Sequence, residues 1–96
     1  MDVKGRLLQA YSEVEKALEL DEKTKGSPQK ALRAVFDLDR VVGRIAKEEP
    51  ALLGRMKEIQ SAVNEVTKSV KSGNLDQAKA RLWEARSLIE SYVRSS

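Results

Sequence analysis

Apolar residues recur along this chain at steps of three and four in four separate runs, and three breaker sequences divide the runs. The first run is Val3, Leu7, Tyr11, Val14 and Leu18, and the second is Ala31, Val35, Leu38, Val42 and Ile45. The third is Leu52, Met56, Ile59, Val63, Val66 and Val70, and the fourth is Leu75, Ala78, Leu82, Ala85, Ile89 and Tyr92. Steps of three and four keep each set on one side of a helix, whereas a strand would need alternation. The chain is therefore confined to an all-α fold in which four apolar stripes find partners.

The breakers are Lys25-Gly26-Ser27-Pro28, Glu49-Pro50 and Ser72-Gly73-Asn74. Gly26 suits the left-handed closure of one helix, Ser27 the capping of the next, and Pro28 its first turn. Proline at 50 disfavours helical geometry in Glu49 and starts a new helix well, so a sharp reversal is expected there, with a kinked long helix as the alternative. Gly73 is placed to close the third helix, and Asn74-Leu75-Asp76-Gln77 has the form of a capping box. Helices are thus predicted over about 2–23, 28–48, 50–72 and 75–94, each about 30 Å long at 1.5 Å per residue. With short connections the leading fold is a single domain, 1–96, built as an antiparallel up-down-up-down four-helix bundle. The alternative is a pair of helical hairpins that completes its bundle as a homodimer.

Composition narrows the chemistry. The 96 residues contain neither histidine nor cysteine. This excludes His-based phosphorelay and general-base catalysis, the Glu-x-x-His sites of di-iron bundles, disulfides, and the usual zinc and haem sites. No Gly-rich phosphate loop or Gly-x-Ser-x-Gly turn is present. No cofactor, metal or small-molecule substrate is expected, and a non-enzyme is the expectation. Eighteen Lys and Arg against fifteen Asp and Glu leave a mild charge of +3, below the concentrated positive charge of dedicated nucleic-acid binders. No uncharged stretch approaches the roughly 20 residues that cross a bilayer, and the first residues form a charged amphipathic segment rather than a leader. A soluble, cytoplasmic chain is expected, without a membrane partner.

Glu15-Lys16-Ala17-Leu18-Glu19-Leu20-Asp21 resembles the end of the second helix of a tetratricopeptide repeat, and Gly73-Asn74-Leu75-Asp76-Gln77-Ala78 resembles the start of such a helix. Neither recurs at the roughly 34-residue period of that family, so no repeat array is implied.

Residues that the stripes leave over are the candidates for function. On the second helix, Arg33, Arg40, Arg44 and Lys47 fall within about 60° of one another, opposite Val35 and Val42, and Phe36 lies about 40° from Arg40. A cationic strip with one aromatic fits an acidic partner helix, or a phosphate backbone and one stacked base. On the last helix Trp83 lies off the stripe, in line with Lys79, Arg86 and Glu90 at steps of four, three and four. It is an interface anchor or an edge cover with Arg86 on its ring. Leu88 widens the apolar face of the same helix. Glu15 and Asp39 flank their stripes and read as surface charges, with a metal or a buried ion pair as the alternative. The leading functional reading is a small helical interaction module, an accessory or adaptor subunit that binds a protein or a second copy of itself. The rival is a nucleic-acid-binding accessory protein that uses the basic face of the second helix, assisted by Lys57 and Lys68.

Overall fold

The stripes become the core. The computed structural model describes residues 3–24 and 29–94. They form α1 (Val3–Thr24), α2 (Gln29–Glu48), α3 (Leu53–Lys71) and α4 (Leu75–Arg94), with a 3-10 turn at Pro50–Leu52 leading into α3. Every stripe residue from Leu7 to Leu18, Ala31 to Ile45, Met56 to Val70 and Ala78 to Tyr92 is buried, while Val3, Leu52 and Leu75 close the ends half-buried. Leu7, Leu38, Ile45 and Ile59 are all but fully excluded from water, and each such side chain contributes about 1.5–3 kcal/mol of transfer free energy. Ala10, Ala17 and Ala34 join the core beside the stripes and let α1 and α2 approach closely where a longer side chain would hold them apart.

Each helix packs against the one that follows it, and α1 meets α4 through a much smaller contact, which makes a compact four-helix bundle. Arg6, near the start of α1, pairs with Glu48 at the end of α2 at 3.7 Å, and Asp21, near the end of α1, bonds to Ala31 at the start of α2. Lys4 likewise donates to the Val93 carbonyl at 3.3 Å, and Glu22 pairs with Lys79. Opposite ends of α1 and α2, and of α1 and α4, therefore lie together.

The junctions follow from local chemistry. Glu49 leaves the helical region at φ −129°, ψ 83°, as a residue before proline does, and its N–H still closes the last turn of α2 on the Ile45 carbonyl. The chain reverses at Pro50, since α3 packs back along α2. The kinked long helix is not formed, and α3 begins at Leu53 rather than at 50 because the proline starts a tighter turn first. At the other end of α3, Gly73 adopts φ 80°. Its N–H bonds to the Val70 carbonyl and that of Asn74 to the Ser69 carbonyl, both at 3.0 Å, which is the Schellman closure that glycine permits. Asn74 then caps α4 by accepting from the Gln77 N–H at 3.0 Å, and the Gln77 side chain returns to the Asn74 amide nitrogen at 3.3 Å rather than to its backbone. The expected signals at 25–28 lie outside the described residues.

Asp21 supplies what the sequence reading did not anticipate. It holds the next stripe position after Leu18 and is only 3% exposed. Its Oδ2 accepts the N–H of Ala31 at 2.7 Å, so a side chain from α1 satisfies one of the free donors at the start of α2 and sets negative charge against its positive end. Replacing Asp21 with alanine leaves that buried N–H unpaired. Urea unfolding is expected to show a loss of about 2 kcal/mol for Asp21→Ala, and a smaller loss for Asp21→Asn, which retains an acceptor oxygen.

Candidate functional site

With the core filled by aliphatic stripes, both off-stripe aromatics stand in solvent. Phe36 and Trp83 are each 66% exposed. Phe36 sits on the outward face of α2, and the Arg40 guanidinium lies 5.9 Å from its ring centroid, within cation–π range. Arg33 stands to one side of the ring, lining a groove between α1 and α2 whose floor is Ala10, Ala17 and Ala34. Arg40, Arg44 and Lys47 line a second groove, which α2 shares with Gln60 of α3. Of the four cations expected to share a face, these three thus line one groove together, Arg33 lines the other, and the Phe36 ring lies against Arg40. Glu48, close in sequence, turns away to Arg6 and leaves that face its charge.

Asp39 borders the second groove. It is half-buried, and its Oδ1 is shielded from water without a hydrogen-bond donor, beside Arg40, Arg44 and Lys47.

Trp83 stands over a groove on the seam between α1 and α4, lined by Tyr11, Leu18 and Leu82, with Glu15, Glu19 and Lys79 at its rim. Lys79, Arg86 and Glu15 are already committed here. Lys79 pairs with Glu22, and Arg86 bonds Glu90 at 2.9 Å and approaches Glu15 at 3.8 Å. Hydrogen bonding to Glu22 and to Glu90 raises the pKa of Lys79 and of Arg86 respectively, holding both in the charged form. Arg86 is thus drawn to carboxylates rather than laid on the Trp83 ring. Leu88 is half-buried and packs against the core, so it adds nothing to an exposed patch. Glu15 accepts the Tyr11 hydroxyl at 2.6 Å and serves the α1–α4 seam. Among the described residues no three metal-ligating side chains converge, and no helix is long and apolar enough to cross a membrane.

The two candidate sets do not merge. α2 and α4 occupy opposite corners of the bundle, each in contact with α1 and α3 but not with one another among the described residues. Arg33, Phe36, Arg40, Arg44 and Lys47 form one surface, while Lys79, Trp83 and Arg86 belong to another. Charge separates them further, since the α2 cations make no ion pair among the described residues, whereas Lys79 and Arg86 do. Comparison of the chain with protein-family models, curated proteins and solved structures finds no match.

Two measurements follow. Removing either exposed ring should cost little: Phe36→Ala and Trp83→Ala are expected to change unfolding free energy by less than about 0.5 kcal/mol, against about 2–5 kcal/mol for Ile45→Ala. Trp83, the sole tryptophan, should accordingly be quenched by iodide in the native state nearly as well as in urea. The second concerns Tyr11. Burial, and after it the hydrogen bond to Glu15, pushes its hydroxyl well above the ordinary tyrosine range. The protonated form is favoured by the fold, so this stabilisation is complete below the unfolded value of about 10 and is lost as pH rises beyond it. Stability measured from pH 9 upward, on the order of that unfolded value, should fall less steeply in Tyr11→Phe than in the parent chain.

Proposed function

We propose that the protein is a non-enzymatic interaction module, an accessory or adaptor subunit that binds a protein partner through an exposed helix face. The observation that carries this reading is that the two largest off-stripe rings are both two-thirds exposed on a bundle whose core is complete without them. A phenylalanine ring left in water has no role in stability, and burying it against a partner recovers its transfer free energy. Tryptophan offers wide contact area with few rotatable bonds, and arginine beside an aromatic orients carboxylates; both residue types are enriched where interfaces bind most strongly. The chain lacks the histidine and cysteine from which most helical bundles build catalytic or redox centres, and Glu15, beside Trp83, is engaged with Arg86 across the α1–α4 seam.

The test is affinity purification of the tagged chain beside its Phe36→Ala and Trp83→Ala forms, each first shown by circular dichroism to keep its helicity. One protein, or a second copy of the chain, should be recovered in stoichiometric amount by the parent and lose at least about tenfold in affinity with one of the two variants. Recovery unchanged by both substitutions, or a chain that remains a lone monomer under native crosslinking in its source cells, would falsify the proposal.

A further inference from the structure

The outward face of α2 has an order beyond its charge. Arg33, Phe36, Arg40, Gly43 and Lys47 succeed one another at steps of three, four, three and four, the same spacing as the buried stripe of that helix but on its opposite side. Such residues form a straight seam about 21 Å long at 1.5 Å per residue, and this is the geometry by which one helix receives another. Phe36 projects from the seam as a knob. Two turns further on, Gly43 leaves the backbone bare, and within 4 Å a Cβ placed there would meet only the Gln60 amide, at 3.8 Å. A large residue of a facing helix can seat in that gap.

We infer that this seam docks an acidic amphipathic helix of another protein, with Phe36 and Gly43 receiving its apolar residues and the flanking cations its carboxylates. The inference rests on the interaction-module reading and assigns it to the α2 surface rather than to the Trp83 surface. Charge selects the occupant. None of Arg33, Arg40, Arg44 and Lys47 is in an ion pair among the described residues, and against these four cations stand two carboxylates, Asp37 and the half-buried Asp39. A second copy presenting the same seam would set four cations against four, a costly juxtaposition. Arg40, Arg44 and Lys47 stand one and two turns apart along α2, in step with carboxylates spaced by one and two turns on a facing helix. A single-stranded nucleic acid is served less well, because base stacking uses successive aromatic platforms, whereas here one ring stands alone with Arg40 already against it. The α1–α2 groove alongside, with Glu13 and Asp37 facing Lys16, Lys30 and Arg33, shows no such preference of sign.

Three probes test this by titration calorimetry at low salt. They are a synthetic helical peptide with a heptad leucine stripe flanked by glutamates, the same peptide with lysines in place of the glutamates, and a mixed-sequence single-stranded oligonucleotide. The glutamate peptide should bind. Its affinity should fall at least about tenfold with Phe36→Ala, Arg40→Glu or Gly43→Leu and stay unchanged with Trp83→Ala. The lysine peptide and the oligonucleotide should bind at least about tenfold more weakly, and the paired substitution Arg33→Glu, Arg40→Glu should reverse the preference between the two peptides. Equal binding of both peptides, no binding of the glutamate peptide, indifference to the three α2 substitutions, or tighter binding of the oligonucleotide each overturns the inference. Self-association that disappears with Phe36→Ala also overturns it. A cellular partner lost only with Trp83→Ala overturns this inference while leaving the interaction-module reading intact, and a partner lost with neither removes that reading itself.

Discussion

Mutual burial of four aliphatic stripes is the constraint on which everything else in this bundle depends. No disulfide reinforces it, and no large aromatic fills its centre. Valine, leucine, isoleucine and alanine interdigitate along roughly 30 Å of helix, and the two tyrosines enter only at the margins, Tyr11 with its hydroxyl on Glu15. Because the stripes and the small residues beside them satisfy one another, the two off-stripe rings are not needed to fill the core. Phe36 and Trp83 are exposed for that reason and not because the core lacks space.

The same packing is uneven around the ring. α1 joins α2, α2 joins α3 and α3 joins α4 through extended contacts, while α1 and α4 touch over a smaller area. That seam is held largely by polar ties: Lys4 to Val93, Glu15 to Arg86, and Glu22 to Lys79. Ion pairs at this degree of exposure contribute about 0–1 kcal/mol each, so the α1–α4 edge is the weakest seam of the fold. The first seam is secured differently. Asp21 reaches from α1 into the first turn of α2 and makes the register of that pair specific, since moving either helix by one residue would separate the carboxylate from the Ala31 N–H.

Much of the candidate site was legible in the sequence, because helix geometry alone fixes the angle between residues. Projection at about 100° per residue placed Arg33, Arg40, Arg44 and Lys47 together, opposite the stripe, with Phe36 at the edge of that face. It could not say whether Phe36 bends back over a neighbouring helix, which depends on where that helix lies. Trp83 shows the limit more clearly. Arg86 is at the right spacing to cover its ring, yet Glu90 and Glu15 draw the guanidinium away, and Glu15 comes from another helix. Asp21 left a faint signal, a carboxylate at the next stripe position after Leu18, which reads as the polar end of a helix until its distant partner is known.

The sequence by itself determined the helices, their boundaries at Pro50 and Gly73, the residues of the core and the composition of the basic face. These follow from local backbone preferences and from a periodicity that one helix carries without reference to others. Only the tertiary structure decided that α2 and α4 stand at opposite corners, so that the eight candidate residues divide into two surfaces. It alone fixed which cations are neutralised, which aromatics remain in water, and that a carboxylate of α1 caps α2. Each of these depends on distances between side chains far apart in the chain, and such distances are set when the stripes pack, not by any spacing along the sequence.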